Sequence, residues 1–508
     1  MKLLELCAAL EIDCPTRHEN VDITSIAMDS RQVRAGSAFV CIRGLHSDGH
    51  TYIADALSAG AACIFVETGA RYVADGNAVY LEVPDTRRAL AILCHAWHGY
   101  PARRLKLIGV TGTNGKTSVT HILRAMLEAS FCRCGLIGTV GCESAGRHLE
   151  KESAAGLANM TTPDPPELYR MLAQMVEDGV EYVLMEVTSH ALALGKLAPL
   201  TFEAAVFTNL TPEHLDFHKT MEAYADAKTE LFRQSKLSVI NIDSPFGERM
   251  CECAVGKIVT CGMRGRGDYV AENATTCADG SVLYDLKSGN ASVRMHCPIP
   301  GGFSVMNSMQ AAIVAHELGF GMTAIKDVLA SLSGVRGRME RLRLGPGADF
   351  TVFIDYAHTP DALENLLRTA SGLKKREGRI VLLFGCGGDR DRGKRPMMGR
   401  IASMGADHVI LTSDNSRSES PENIIEEILV GIDRQKSHTV IIDRAEAIRR
   451  AVMEARRDDI LLLAGKGHEE YEIDREGRKP FSEREIVLKA FAERRRREND
   501  SNTTETRL

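Results

Sequence analysis

One tryptophan stands among 508 residues, and aromatics make up only 5% of the chain. No apolar run is long enough to cross a bilayer as a helix, which takes about 20 residues, so no membrane insertion is predicted. The fourteen cysteines never fall into a CxxC pair, the nearest being Cys132/Cys134 and Cys251/Cys253. That scatter argues against zinc or disulfide frameworks and for free thiols in a reducing cytoplasm. An excess of charge of either sign is also lacking. A net charge of −6 gives no broad electrostatic case for nucleic acid or a membrane surface, so a small-molecule substrate is the expectation. The opening MKLLELCAALEI is interrupted by Glu5 and has no basic stretch beyond Lys2, so it reads as an amphipathic helix rather than a signal peptide.

What is abundant is alternation of strand and helix, organised around residues 105–118, LKLIGVTGTNGKTS. An apolar β-prone run ends in a small-residue turn that opens onto Lys116-Thr117 and a helix. Gly112 and Gly115 let backbone N–H groups of Thr113, Asn114 and Ser118 close on an anion with no Cβ in the way, and the helix N-terminus adds partial positive charge. Lys116 can reach the terminal phosphates of a nucleoside triphosphate, and the Thr117 hydroxyl can ligate Mg²⁺. Val110 stands where the strict phosphate-loop pattern has glycine. Val119, Ile122, Leu123, Met126 and Leu127 form an i, i+3, i+4 stripe that predicts a packed helix.

The length predicts several domains. Residues 1–98 read as a small α/β unit with strands at 38–42, 63–66 and 79–83, followed by a hinge near Tyr100-Pro101. Residues 99–335 read as a parallel α/β domain with strands at 105–110, 135–140, 181–187, 204–209, 237–242 and 257–261. Glu186 ends one strand, while His214 and Asp216 follow another, so both sets face the crevice at the carboxyl edge. A hairpin turning at Asp279-Gly280 is predicted over 268–296, and a helix carrying Asn307 and Gln310 follows Gly301-Gly302. Residues 336–492 form a third α/β unit with strands at 351–355, 379–384, 407–412, 438–442 and 459–464. Its polar clusters DYAHTPD, GCGGDRDRGKRP, SDNSRSE and GKGHEEYE all follow strands, as in a binding crevice. The basic run at 494–497 and the rest of 493–508 read as a frayed, solvated tail. Lys228, in YADAKTELF, reads by itself as a surface lysine with its stem on the core.

Taken together, TGTNGKTS, MEVTSHAL, FTNLTPEHLDFH, YADAKTELF, GRME, DYAHTPDAL, GCGGDRDRGKRP and AGKGHE occur in the order seen in the Mur ligases of peptidoglycan synthesis, and the chain resembles that family over nearly its whole length. The resemblance implies an α/β fold of three domains: an N-terminal UDP-substrate domain, a central phosphate-loop ATPase with a parallel sheet, and a Rossmann-like C-terminal domain. It implies an ATP-dependent, Mg²⁺-requiring ligase that turns a carboxylate into an acyl phosphate and then an amide, with domain closure excluding water.

Carried over residue by residue, Lys116, Glu186, His214 and Lys228 are catalytic. Thr117, Glu186, His214 and Lys228 are expected at the metals, Lys228 as a carboxylated lysine whose carbamate needs a neutral amine to form. Asn307, Arg338 and Asp355 match positions that hold adenine, phosphates and ribose. Met28, Ser30, Leu45, His46 and Ser47 resemble the uridine end of the substrate site, and Thr161, Thr162, Thr188 and Lys196 the part that contacts the muramoyl dipeptide. Met160 replaces an asparagine, with Asn159 displaced by one. The closest likeness within the family is to ligases adding a third residue to UDP-N-acetylmuramoyl dipeptide. Arg390, Asp414, Asn415, Ser416, Arg417, Gly465 and Glu469 match the contacts of the incoming amino acid. Arg417 favours diaminopimelate over lysine or ornithine, because guanidinium grips a carboxylate bidentately. Ser416 replaces a proline, which is expected to loosen this loop. The resemblance implies a cytoplasmic monomer.

Overall fold

A computed structural model describes residues 1–44, 47–74, 78–150 and 160–505, with side chains to residue 498. The chain divides into two compact units. One comprises Met1–Gly112, Leu127–Leu210 and Thr220–Thr260, and the other Thr113–Met126, Thr211–Lys219 and Cys261–Leu508.

In the first unit, β1 (Ser25–Ala27), β2 (Ser37–Val40), β3 (Cys63–Glu67) and β4 (Val79–Val83) pair in that order, all parallel. Strands β2 and β3 are buried along almost their whole length, which is why they read as continuous apolar runs rather than alternating ones. The predicted amphipathic helix is Leu3–Ala9, which buries Leu3, Leu6 and Cys7. A second helix, Thr86–Trp97, starts where the Asp85 carboxylate accepts from the backbone N–H groups of Arg87 and Arg88.

The same unit holds β5 (Lys106–Thr111), β6 (Cys134–Ile137), β7 (Cys142–Ser144), β8 (Arg147–His148), β9 (Tyr182–Glu186), β10 (Phe202–Phe207) and β11 (Ser235–Asn241). They lie in the order β11-β10-β5-β9-β6-β7-β8. The first five are parallel, and β7 and β8 fold back antiparallel. Strand β5 is therefore flanked on both sides, with Glu186 in register with its Val110. This brings the carboxyl ends of β5 and β9 to one edge of the sheet.

Strand β12 (Lys257–Gly262) crosses from one unit into the other, and its last two residues pair with β13 (Tyr269–Thr276). The stretch predicted as one hairpin is a three-stranded meander of β13, β14 (Val282–Ser288) and β15 (Ala291–Cys297). Gly280 supplies the predicted turn in the left-handed region, and Gly289 (φ +57°) supplies a second. The helix carrying Asn307 and Gln310 runs Phe303–Glu317.

The remaining sheet of the second unit comprises β16 (Glu340–Arg341), β17 (Thr351–Asp355), β18 (Ile380–Phe384), β19 (His408–Leu411), β20 (His438–Val440) and β21 (Ile460–Ala464), in the order β16-β17-β21-β18-β19-β20. All neighbours are parallel except β16. Alternate residues feed two cores. Phe353, Leu382, Phe384 and Leu462 enter one, while Val352, Ile354, Val381, Leu383, Leu461 and Leu463 enter the other. The end of GKGHEEYE, read as a polar loop, begins a hairpin of β22 (Tyr471–Asp474) and β23 (Gly477–Pro480).

The basic run at 494–497 is also not a frayed tail but part of helix Glu483–Glu505. Arg494 stacks 5.1 Å over the Phe350 ring and donates to the Ala455 carbonyl at 2.8 Å, so its charge caps a neighbouring helix end rather than facing only water.

Candidate functional site

In the first unit the chemistry gathers where β5 and β9 end. Glu186, at the end of β9, is 1% exposed. Its carboxylate accepts from the Thr139 N–H at 2.9 Å and from the Thr139 hydroxyl at 2.8 Å. A Cβ on Gly138 would stand 2.5 Å from the same carboxylate, so the glycine makes room for it. Lys228 is 1% exposed on helix Met221–Arg233, which overturns the surface-lysine reading. Its ammonium donates to Thr111 Oγ1 at 3.3 Å and to the Gly112 carbonyl at 3.2 Å, and lies 4.7 Å over the Tyr224 ring. The lysine thus reaches the first residue of the phosphate loop. Gly112 itself has φ +146°, and a Cβ there would fall 1.9 Å from Thr208 Oγ1.

The residues expected at the muramoyl dipeptide share this edge. Thr162 donates to the Glu186 carbonyl at 2.8 Å and accepts from Thr188 N at 3.1 Å, while Thr161 and Thr139 hydroxyls meet at 3.2 Å. Thr188 caps helix Ser189–Ala193. Lys196 pairs with Asp164 at 2.8 Å and donates to Met160 Sδ at 3.3 Å. The substituted methionine thus offers only a weak acceptor. Met28 and Ser30 lie just beyond β1, and Ser47 accepts the Gly44 N–H at its carbonyl. Leu45, His46 and Asn159 lie outside the described residues.

In the second unit the phosphate loop meets three separated segments. Lys116 donates to the Thr113 carbonyl at 2.8 Å, and Asn114 Nδ2 to Asp361 Oδ2 at 2.6 Å. Gly115, at φ +89°, is pressed so close to Asn307 that a Cβ would sit 2.5 Å from its Oδ1. Thr117 and Ser118 are buried, and Thr117 Oγ1 accepts from Arg338 Nη2 at 2.8 Å. Arg338 also stacks 4.7 Å over Tyr356, and its buried Nε has no hydrogen-bond partner. Asp355 accepts from the Met339 and Ala357 N–H groups at 2.6 and 2.7 Å. Burial raises its carboxyl above the ordinary range, although Arg338 pulls the other way.

His214 sits in the left-handed region (φ +56°), where non-glycine residues are uncommon. Its Nε2 is 3.7 Å from Glu213, and His358 Nε2 is 3.5 Å from the other oxygen of that carboxylate. Burial by itself would raise Glu213, but His358, His214 and Lys116 together hold it far below the carboxylate range.

A second cluster follows β18, β19 and β21. Arg390 has its pKa lowered by the packing around its guanidinium and then by the like charge of Arg417. Both side chains approach Gly387, where a Cβ would lie 3.0 Å from Arg417 Nη1 and 3.8 Å from Arg390 Cγ. Nearby, Glu469 accepts from Asn415 Nδ2 at 2.8 Å and from the Tyr471 hydroxyl at 3.0 Å. Burial raises its carboxyl. Lys466, fully buried, donates to Asn415 Oδ1 at 3.0 Å and to the Tyr471 carbonyl at 2.9 Å. Burial would raise Asp414 as well, but Lys466, Arg444 and Arg417 bring it below its ordinary value. Gly465 (φ +112°) approaches so closely that a Cβ would lie 2.5 Å from Asp414 Oδ2. Ser416, where the resemblance has proline, lies inside this cluster. It is buried, its carbonyl accepts from Glu419 N at 3.0 Å, and Gly388 N bonds the Asn415 carbonyl at 2.9 Å.

Sequence reasoning missed Thr139, Glu213, His358, Asp361 and Lys466 as parts of these clusters. The last four sit inside motifs already singled out, whereas Thr139 carried only its place after a strand.

Known proteins resemble this chain over nearly its whole length. The Mur ligase family model "catalytic domain" matches residues 22–98, "Mur ligase middle domain" residues 110–315 and "Mur ligase, glutamate ligase domain" residues 337–467. A protein of Syntrophomonas wolfei named UDP-N-acetylmuramoyl-L-alanyl-D-glutamate--2,6-diaminopimelate ligase is 40% identical over 494 residues, covering 96% of this chain and 98% of that one. A solved structure bearing the same name is 32% identical with a TM-score of 0.66, over 96% of this chain and 99% of its own. The MurF ligase of Thermotoga maritima, solved in complex with ADP, shares the fold at 18% identity, with a TM-score of 0.58 over 97% and 99% of the two chains. With matched segments together spanning most of its length and a relative this similar end to end, the chain belongs to the Mur ligase family.

Proposed function

We propose that this chain is an ATP-dependent ligase that adds meso-2,6-diaminopimelate to the D-glutamyl residue of UDP-N-acetylmuramoyl-L-Ala-D-Glu, in peptidoglycan synthesis. A carboxylate resists amines because its negative charge repels them and oxide leaves poorly. Phosphorylation replaces oxide with phosphate, and the amine then attacks through a tetrahedral intermediate. Lys116 and the loop N–H groups bind and orient the triphosphate, and Arg338, with its unpartnered Nε, supports a second positive contact. Thr162, Thr188 and Lys196 would align the dipeptide beside Glu186.

The donors fit Mg²⁺. Among the described residues no three His, Cys, Asp or Glu side chains cluster as a metal cage. By the resemblance, Thr117, Glu186, His214 and a carboxylated Lys228 would be the residues that hold the cation, and their oxygen donors suit a hard ion such as Mg²⁺. Bound there, the metal would neutralise phosphate charge. The burial of Lys228 at the loop's first carbonyl supports reading it as the carboxylated lysine. No described helix is long and apolar enough to cross a membrane, and we take the enzyme to act as a cytoplasmic monomer.

The observation that carries the choice of amine is the pair Arg390 and Arg417, whose side chains both approach Gly387 and whose like charges act on one another. Glu469 suits an ammonium, and the pair suits the distal carboxylate that diaminopimelate has and lysine lacks. Measuring ADP release with the muramoyl dipeptide and each of diaminopimelate, lysine and ornithine tests this. Diaminopimelate should be used at least about a hundredfold better, since a site built to pair a group rejects an analogue without it. Preference for lysine would make the chain the lysine-adding member instead.

A further inference from the structure

The loops that carry Arg390 and Arg417 are joined by a buried guanidinium for which the proposed reaction has no use. Arg395 is fully buried at the start of helix Lys394–Gly405. It makes a bidentate contact with Glu419, Nη1 to Oε2 at 2.9 Å and Nη2 to Oε1 at 2.8 Å. The same guanidinium donates to Glu427 at 2.8 Å and to the Gly387 carbonyl at 3.2 Å. Glu419 in turn accepts the Asp389 N–H at 2.6 Å, and Asp389 accepts from Ser418 Oγ at 2.6 Å and Ser418 N at 3.2 Å. Arg417 Nη1 closes the lacing on the Gly388 carbonyl at 2.8 Å, and Arg390 Nη1 on the Asp389 carbonyl at 3.0 Å.

The Asp389–Ser418 tie joins the immediate neighbours of Arg390 and Arg417, and the Arg395 fork lands on Glu419, two residues beyond Arg417. Gly388 leaves the loops no slack, because a Cβ there would fall 1.9 Å from the Ser416 carbonyl oxygen. Arg417 is itself held in the left-handed region at φ +52°. Two like charges do not stay adjacent unaided, so something rigid must hold them, and an anion arriving between them is then bound without reorganisation. A buried arginine forked onto one carboxylate is suited to that, since its geometry is fixed in plane.

We propose that Arg395, acting through Glu419, is a positioning residue that sets the spacing of Arg390 and Arg417 and thereby the preference for an amine bearing a distal carboxylate. This rests on the reading of the pocket as the site of the incoming amino acid.

The test is steady-state kinetics of the full-length enzyme with diaminopimelate and with lysine, for the unaltered chain, Glu419→Gln, Arg395→Lys and Arg417→Ala. Glu419→Gln and Arg395→Lys should raise KM for diaminopimelate by about ten- to a hundredfold, with kcat at saturation changed less than about threefold and KM for lysine unmoved. Should the Arg395 variant not fold, Ser418→Ala removes the shorter of the two bonds to Asp389 without exposing a buried charge and should shift the same ratio by a smaller factor. Retained preference in Glu419→Gln, with preference lost in Arg417→Ala, would overturn the inference and leave the substrate reading standing. A parallel rise of KM for both amines would overturn it too. Equal use of both amines by the unaltered chain would overturn the substrate reading and the inference with it.

Discussion

Arg338 Nη2 donates to Thr117 Oγ1 at 2.8 Å, across 221 residues of sequence. The hydroxyl expected at Mg²⁺ and the guanidinium expected at the phosphates are thus already neighbours. Thr117 would hold the metal when it is bound, and Arg338 at its side would offer a charged donor to the phosphates. Arg338→Met should lower kcat/KM for ATP by about a hundredfold, the usual loss when one preorganised donor to a charged transition state is removed. Arg338→Lys should recover only part of it, because a point charge lacks the fork. Steady-state kinetics with ATP varied would check both.

Gly112→Ala should fail in the loop rather than in the global fold. The left-handed φ of +146° and a Cβ 1.9 Å from Thr208 Oγ1 cannot both be relieved, since the Asn209 backbone closes the other side at 2.9 Å. Strain of about 2–3 kcal/mol is expected. Thermal unfolding should show a lowered midpoint, and nucleotide-binding calorimetry a larger relative loss. Adding Thr208→Ala should restore part of each.

Acid stability should depend on the clamp. The Arg395 guanidinium holds Glu419 down to about 2 from an ordinary 4.5. A carboxyl depressed in the folded state contributes stability that is fully present above its unfolded value and is lost as pH falls through the folded one. The window is therefore pH 4.5 down to about 2. With its partial exposure discounted, the contribution is about 2 kcal/mol. Urea unfolding at stepped pH should show Glu419→Gln less stable than the unaltered chain at pH 7, with the gap shrinking below pH 4.5.

Lys228 provides a modification test. With ¹³C-labelled bicarbonate the protein should show a carbamate carbon resonance that is absent from Lys228→Ala, and that variant should lose ligase activity by a factor of about a hundred or more. Full activity with no labelled carbon would remove the carboxylated form from the account.

The strand and helix alternation of both units was legible because period and turn chemistry are local. The run LKLIGVTGTNGKTS announces strand, turn and helix within fourteen residues. Partnerships across the chain were not. Asn114 and Asp361 are 247 residues apart, and nothing in either neighbourhood names the other. Glu213 sat in plain view beside His214, but its importance comes from His358, delivered by a different segment. The second turn at Gly289 was hidden because one hairpin satisfies a period-two pattern as well as two do. The basic run around Arg494 was misread because its charge ends on helix carbonyls and a phenylalanine ring, which composition does not show.

The account stands on activation of a carboxylate by phosphoryl transfer at the Lys116 loop. It is tested most directly with UDP-muramoyl dipeptide labelled with ¹⁸O in the reacting carboxylate. After complete turnover with ATP and diaminopimelate, one ¹⁸O atom should appear in the released inorganic phosphate, since the bond that breaks on amine attack joins the acyl carbon to an oxygen that began in the substrate. Amide product accompanied by unlabelled phosphate would contradict it.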